Sequence, residues 1–168
     1  MKKNKIIYVP MGADIIHTGH LNIIKKAKKY GEIVIGLFTD SAIAEYKTLP
    51  LINYSQRLEI MKNIKGISKI IKQDTWDYSN NLNKLKPNYV IHGDDWKKGI
   101  QQKTRLNVIK LLKRWKGRLI EVPYTKKVNI NENKKSVNNI FHNPETRVSR
   151  LKRLIGSKKI VRFIESHN

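Results

Sequence analysis

Residues 6–20 read IIYVPMGADIIHTGH, and this stretch decides the fold that we expect. The apolar run 6–9 is typical of a buried strand, and a helix-like stretch follows the histidines. A helix N-terminus presents free backbone N–H groups and partial positive charge, so anions bind there. Gly19 lets a phosphate approach the backbone closely, and His17 and His20 can donate hydrogen bonds to its oxygens. The pattern predicts a triphosphate site at a strand-to-helix turn rather than two ordinary loop histidines.

The rest of the chain alternates between strand-like and helix-like stretches. Continuous apolar strands separated by helices predict a parallel sheet covered on both faces, and right-handed crossovers make it doubly wound. We therefore predict an α/β, Rossmann-like, doubly wound sheet of about five parallel strands with helices on both faces, followed by a C-terminal helical tail. The predicted strands are 5–9, 32–39, 67–71, 88–92 and 118–122, and the predicted helices are 20–30, 41–46, 55–64 (capped by Ser55) and 100–115. The predicted buried face of the last helix comprises Leu106, Ile109, Leu112 and Trp115.

Polar residues gather at the carboxyl ends of the predicted strands. Ligands of doubly wound sheets bind at that edge. The histidines follow the first strand, Asp40 follows the second, residues 93–96 follow the fourth, and residues 124–125 follow the fifth. The chain has neither a G-x-G-x-x-G fingerprint nor a Walker A motif, which disfavours dinucleotide-binding and P-loop proteins.

The composition excludes several classes of protein. The chain has 168 residues, enough for one domain with a substantial core. It has no cysteine, so disulfides, thiolate metal sites and cysteine nucleophiles are excluded. No apolar run reaches membrane-spanning length, and the basic residues 1–5 lead into a stretch without the features of a signal peptide. We expect a cytoplasmic protein without membrane partners.

The net charge is +22, from 35 lysines and arginines against 13 acidic residues. A charge of this size is typical of nucleic-acid binders, but here the lysines are spread along the chain and accompany a general richness in Asn and Ile. We therefore do not expect nucleic acid among the partners. The charge should attract small anionic substrates and make their binding sensitive to salt.

Several further motifs make the chain similar to a known family. The sequence resembles the cytidylyltransferases, nucleotidyltransferases with an H-x-G-H signature, and the likeness covers most of residues 5–125. Within that family it most resembles the cytidylyltransferase domain that is fused to a phosphoenolpyruvate mutase in phosphonate biosynthesis. The blocks that carry the resemblance are residues 8–14, 17–20, 36–40, 46–50, 56–57, 86–87, 92–96 and 122–125.

The resemblance implies a reaction. A phosphate or phosphonate oxygen would attack the α-phosphorus of CTP and release pyrophosphate, with 2-aminoethylphosphonate or 2-hydroxyethylphosphonate as the acceptor. Such a transfer needs alignment and positive charge rather than a protein nucleophile. His17, His20 and Lys47 would be the catalytic residues, and Mg²⁺ would bridge triphosphate oxygens, with no protein residue assigned as its ligand.

The resemblance also implies the binding residues and the partners. Besides CTP and a small phosphonate or phosphate monoester, the second copy of a homodimer is expected. Cytidylyltransferases for glycerol 3-phosphate, phosphocholine or phosphoethanolamine remain alternatives, as does an adenylyltransferase of the same superfamily. The implied nucleotide-binding residues are Gly12, Ala13, Asp14, Gly19, Arg57, Gly93, Asp94, Trp96, Tyr124 and Thr125.

The chain departs from the family pattern after residues 123–125. There the family usually continues with Glu-Gly-Ile-Ser-Ser/Thr, whose hydroxyl and N–H groups contact phosphates. Residues 126–131 instead read KKVNIN, so the glycine and the hydroxyls are missing. This departure leaves open a catalytically impaired basic domain that binds nucleotide or nucleic acid.

The end of the chain forms a second region. The nucleotidyltransferase domain is predicted over 1–125, a polar loop or linker over 126–143, and a helical tail over 144–168, with proline in its first turn. Residues 164–168 resemble the opening of a phosphoenolpyruvate mutase domain. We therefore expect the chain to be the front portion of a bifunctional protein or a separated remnant of one, the alternative being an ordinary helical tail that packs on a partner subunit.

Overall fold

A computed structural model describes residues 5–99, 101–123 and 144–157. Within them, five strands form one sheet in the order β3-β2-β1-β4-β5, and every pair is parallel. The predicted α/β, Rossmann-like fold is thus confirmed. The strands are β1 (Ile6–Met11), β2 (Glu32–Phe38), β3 (Ile67–Gln73), β4 (Tyr89–Gly93) and β5 (Arg118–Val122).

The helices connect these strands and cover both faces of the sheet. They are α1 (Thr18–Lys28), α2 (Asp40–Tyr46), α3 (Tyr54–Lys62), α4 (Ser79–Leu85), a 3-10 turn (Asp94–Lys97), α5 (Gln102–Lys113) and α6 (Pro144–Ser157). Helix α6 lies in the predicted tail, whereas the predicted linker and residues 158–168 lie outside the described residues. Among the described helices, none combines the length and apolar composition needed to cross a bilayer.

The strand order reverses at β1, which positions the site. β1 pairs with β2 on one side and with β4 on the other, so Tyr8 faces Val34 across one ladder and Val90 across the other. The loops that leave β1 and β4 therefore diverge to opposite faces and open a crevice at the carboxyl edge of the sheet.

Alternation along β1 divides the core into two clusters. Tyr8 packs on one face with Trp76, Trp96 and other apolar residues, whereas Ile7 and Val9 pack on the other with residues of α1. β1 is consequently buried on both faces, as its continuous apolar sequence predicts.

Three local expectations differ from the structure. Leu106 is 58% exposed, whereas Leu112 is buried as predicted, together with Val108 and Leu111, which were not predicted. Both sets recur at helical spacing, so the sequence pattern alone could not choose the phase of the helix. The N-cap of α3 is Asn53 rather than Ser55. Helix α4 and the 3-10 turn were not predicted.

Gly36 in β2 lies under the hydroxyl of Tyr8. A Cβ added to Gly36 would overlap that hydroxyl, which donates to Oε1 of Gln73 and accepts from Nδ2 of Asn81 (3.2 Å). Because Tyr8 is fully buried and bonded on two sides, it has no room to move. We expect Gly36→Ala to lower the free energy of unfolding by about 2 kcal/mol, measured by urea denaturation.

A second glycine supplies the control for this overpacking prediction. Gly156 in α6 has open space where a Cβ would stand, so Gly156→Ala should be neutral or slightly stabilising. Equal stabilities of Gly36→Ala and the unmodified protein would mean that Tyr8 can shift within the core.

Candidate active site

A cavity of about 1100 Å³ opens at the carboxyl edge of the sheet. The loop after β1, residues 43–48, and the ends of β4 and β5 line it. The crevice predicted from the strand order is therefore present and is not filled by side chains. The predicted site residues that line it are Gly12, Ala13, Asp14, His17, Gly19, His20, Lys47 and Gly93.

His17 and His20 cap helix α1 through their own imidazoles. Nδ1 of His17 accepts a hydrogen bond from the Gly19 N–H (3.1 Å), and the His17 N–H donates to Nδ1 of His20 (3.4 Å). This is the reciprocal pattern of a capping box, with histidines in the places usually held by Ser or Thr and Glu or Gln. The two ring centroids lie 4.0 Å apart.

These caps determine which ring nitrogens carry protons. A nitrogen that accepts from an N–H has no proton, so each neutral ring carries its hydrogen on Nε2. Burial, and secondarily the neighbouring His17, lowers the pKa of His20 to about 4, and burial also lowers the pKa of His17. Near pH 7 both rings are neutral, and each retains an Nε2–H group that can donate to a ligand.

The backbone of the same loop is also unusual. Ala13 has a φ of +53° although it is not glycine, and it is almost fully buried. Such a conformation costs free energy and persists where the surrounding structure enforces it. The loop is therefore held in one shape as it leads toward the N-terminus of α1.

Lys47 brings a positive charge to the lining of the cavity. It follows the last residue of α2 and its Nζ lies 5.3 Å from the ring centroid of Trp76. Trp76 is itself fixed because its indole N–H donates to the carbonyl of Ala42. A cation over an aromatic face is held without being neutralised, so the lysine keeps its charge for an anionic ligand.

Three of the predicted nucleotide-binding residues do not line the cavity. Arg57 is fully buried and donates to the carbonyl of Gly12 and to Oδ1 of Asp40 (2.7 Å). Trp96 is fully buried, and Asp94 in the 3-10 turn is not among the lining residues. Direct contact of these side chains with a nucleotide stays a prediction. Tyr124 and Thr125 lie outside the described residues.

His92 lines the cavity but was not predicted as a site residue. Its ring stacks on Trp96 with centroids 3.8 Å apart and planes 6° apart. Its Nδ1 lies 2.8 Å from the carbonyl oxygen of Gly93, so Nδ1 donates there and Nε2 keeps a lone pair. Burial lowers the pKa of His92, which favours this neutral form. Its position at the carboxyl end of a buried strand was the signal that could have identified it.

A carboxylate on β5 holds the stacked pair of His92 and Trp96 through a hydrogen bond to Trp96. Glu121 accepts from the indole N–H of Trp96 (2.8 Å) and from two nitrogens of Arg105 (2.8 and 3.1 Å). The hydrogen bond from Arg105, followed by that from Trp96, lowers the pKa of Glu121 to about 2. Glu121 is therefore ionised at neutral pH and orients Trp96, which in turn supports His92.

The described residues contain no group of three or more His, Asp or Glu side chains placed to hold a metal ion. Three carboxylate residues, Asp14, Glu45 and Asp95, nevertheless line the cavity. Mg²⁺ in nucleotide sites takes most of its ligands from phosphates and water and only one or two from the protein. This donor set fits an ion that arrives with a triphosphate.

The sequence of this chain matches a known protein family. The cytidylyltransferase-like family model matches residues 13–149. FAD synthase of Archaeoglobus fulgidus is 31% identical over 100 residues, which are 56% of this chain and 73% of that protein. FAD synthase of Methanothermus fervidus is 35% identical over 86 residues (49% and 59%), and ethanolamine-phosphate cytidylyltransferase of Dictyostelium discoideum is 29% identical over 96 residues (56% and 27%). The chain thus matches less than two thirds of the latter two relatives.

Solved structures share the fold at low sequence identity. The lipopolysaccharide core biosynthesis protein of Thermoplasma volcanium has a TM-score of 0.60 at 20% identity, covering 73% of this chain and 98% of that one. Pantoate-beta-alanine ligase of Francisella tularensis has a TM-score of 0.55 at 17% identity, covering 100% and 84%. The family model matches most of the chain, and the paired imidazoles lie at the N-terminus of α1. The protein therefore belongs to the cytidylyltransferase-like family of nucleotidyltransferases.

Proposed function

We propose that this protein transfers CMP from CTP to a small phosphonate, 2-aminoethylphosphonate or 2-hydroxyethylphosphonate, and releases pyrophosphate. The observation that carries the proposal is the pair of neutral imidazoles at the N-terminus of α1. Their Nδ1 atoms are engaged by the backbone, which leaves both Nε2–H groups for phosphate oxygens. Neutral donors and helix amides together suit a ligand with several oxygen acceptors.

The chemistry asks little of the protein beyond alignment and charge. A phosphonate oxygen of the acceptor forms a bond to the α-phosphorus of CTP, and the bond from that phosphorus to the β-phosphate oxygen breaks. Pyrophosphate leaves with the electron pair. Negative charge on the transferring group is met by the Nε2–H groups of His17 and His20, by the first amides of α1, and by Lys47. No side chain has to act as a covalent nucleophile, because the acceptor is one.

Mg²⁺ is part of the proposal as a companion of the triphosphate. When bound, it would neutralise charge on the pyrophosphate leaving group. Asp14, Glu45 and Asp95 are the carboxylates that line the cavity, and one or two of them would hold the ion. The homodimer and the cytoplasmic location stay predictions.

Support for cytidine comes from the family match and from the ethanolamine-phosphate cytidylyltransferase relatives. The motifs at residues 46–50 and 93–96 also favour CTP, whereas the phosphonate acceptor rests on the resemblance to the mutase-fused domain and on residues 164–168. A second candidate is adenylyl transfer that forms FAD, which the two archaeal FAD synthases favour at 31% and 35% identity. The two candidates use the same phosphate site and differ in the base and in the acceptor.

A pyrophosphate-release assay across nucleotide and acceptor pairs distinguishes them. CTP and ATP are each combined with the two phosphonates, phosphoethanolamine, phosphocholine, glycerol 3-phosphate and FMN. We expect kcat/KM with CTP and a phosphonate to exceed that of the other pairs by about tenfold or more. An incorrect base or acceptor would leave polar groups of the site without hydrogen-bond partners, which lowers kcat/KM.

Each other result of the assay has a definite meaning. A higher rate with ATP and FMN would replace the proposal with FAD synthesis. A higher rate with CTP and a phosphate monoester would mean that the acceptor is that phosphate monoester rather than a phosphonate. No turnover with any pair, together with nucleic-acid binding that falls steeply with salt, would favour the impaired basic domain.

A further inference from the structure

Arg153 extends from the last described helix of the chain to two segments that adjoin the cavity lining. Its Nη1 donates to the carbonyl of Leu51 (3.2 Å), and its Nη2 donates to the carbonyl of Pro50 (3.1 Å) and to Oδ2 of Asp40 (3.2 Å). Helix α6, which carries it, packs against α2. The family match ends at residue 149, so these contacts come from beyond the stretch that defines the family.

The contact with Asp40 leads to the phosphate loop, which we define as residues 12–20. Asp40 binds a second arginine, because Nη2 of Arg57 donates to Oδ1 of the same carboxylate at 2.7 Å. Nη1 of Arg57 donates to the carbonyl of Gly12, where the phosphate loop begins. One carboxylate therefore joins helix α6 to the backbone of the loop that carries both histidines.

The other two contacts, with the carbonyls of Pro50 and Leu51, lead to segment 50–52. Oδ1 of Asp14 accepts from the N–H groups of Leu51 (2.7 Å) and Ile52 (3.4 Å). The segment 50–52 is thus held on its N–H side by the phosphate loop and on its carbonyl side by Arg153. Lys47, which lines the cavity, lies three residues before this segment.

We propose that Arg153 is a positioning residue of the active site, which fixes the phosphate loop and segment 47–52 relative to each other so that nucleotide affinity depends on helix α6. The proposal rests on the proposed function only in taking a nucleotide as the ligand. Loops ordered before binding lose less entropy when the ligand arrives, which strengthens binding without any direct contact. The two described hydrophobic clusters contain no residue of α6, so the sheet does not depend on Arg153.

The test is the change in KM for the nucleotide on Arg153→Ala. We expect KM to rise about tenfold, in line with the loss of hydrogen bonds from a charged donor. We expect kcat to stay within about twofold and the melting temperature to shift by only a few degrees. Arg153→Lys keeps the charge but not the planar fork of donors, so it should recover part of the loss. Pyrophosphate release is measured with the nucleotide that the unmodified protein uses.

Lys152→Ala is the matched control. It removes one positive charge from an exposed neighbour on the same helix and should leave KM unchanged. A KM for Arg153→Ala equal to that of Lys152→Ala overturns the proposal, whatever the melting temperature does.

Hydrogen exchange of the Leu51 and Ile52 amides gives a measurement that needs no turnover. Both amides should exchange faster in Arg153→Ala than in Lys152→Ala, because segment 50–52 would be held on one side only. If the unmodified protein released no pyrophosphate with any nucleotide, the proposed function would fail, and the exchange rates alone would decide the role of Arg153. Equal exchange in the two variants overturns it.

Discussion

His20→Ala is expected to lower kcat by about 10²–10³-fold while the protein stays folded. The substitution removes an Nε2–H donor that is preset by the bond from the His17 N–H to Nδ1. Loss of one such donor from a preorganised site has an effect of this size. The burial that keeps the ring neutral also means that no charge is lost, so the effect on kcat is one of hydrogen bonding. The measurement is pyrophosphate release under saturating substrates.

The histidines also cap α1, so the variants must distinguish a loss of helix capping from a loss of catalysis. Glutamine is the usual partner in a capping box, and His20→Gln keeps an acceptor for the His17 N–H. Likewise His17→Asn keeps an acceptor for the Gly19 N–H, because Asn is a preferred N-cap residue. These two variants should match the unmodified protein in urea denaturation and still lose most of kcat. His17→Ala should in addition lose about 1 kcal/mol of stability.

Full turnover by His20→Gln and His17→Asn would remove both imidazoles from the reaction. The phosphate site would then consist of the helix amides and Lys47 alone. In that case the proposed function would lose the observation on which it rests.

The sheet and the place of the site were predictable because each depends on a local pattern. Apolar runs of strand length, separated by helical spacing, indicate a parallel sheet wherever they occur, and the strand β5 matches its predicted bounds. The edge at which ligands bind follows from the topology, so His17 and His20 could be placed before any coordinates.

What could not be predicted depends on side-chain direction or on contacts between distant residues. The tautomers of His17 and His20 depend on two hydrogen bonds to the backbone, and a sequence motif does not specify rotamers. The link from Arg153 to Asp40 joins positions that are 113 residues apart. No spacing rule connects such a pair, because only the packing of α6 on α2 brings them together.

The direction of the Arg57 side chain was likewise not specified by the sequence, although the family motif at residues 56–57 includes this residue. The family resemblance implies that Arg57, which lies on helix α3, grips a phosphate of the nucleotide. In the structure the guanidinium is turned inward, between Gly12 and Asp40 and over the ring of Tyr54. In this position the guanidinium holds the start of the phosphate loop through its hydrogen bond to the carbonyl of Gly12.

Arg57→Met is accordingly expected to lower the free energy of unfolding by about 3 kcal/mol. The side chain is fully buried, and its loss leaves Oδ1 of Asp40 and the carbonyl of Gly12 without their donor. Breaking a buried ion pair from one side costs about 3–5 kcal/mol. The lower end applies here, because Arg153 still neutralises Asp40. Methionine fills much of the volume, so the measurement by urea denaturation reports the polar contacts rather than a void.

A double-mutant cycle with Asp40→Asn isolates the pair. The coupling between Arg57→Met and Asp40→Asn should be about 1–3 kcal/mol, the range for residues in direct contact. Lys62→Met near the end of the same helix is the control, since Lys62 is exposed and pairs only with Glu59 among the described residues. Its effect should stay below about 0.5 kcal/mol. If Arg57→Met instead kept its stability and lost only nucleotide affinity, the guanidinium would have to leave Asp40 for the triphosphate, as the family motif implies. The inward position would then be a resting state of the site rather than its support.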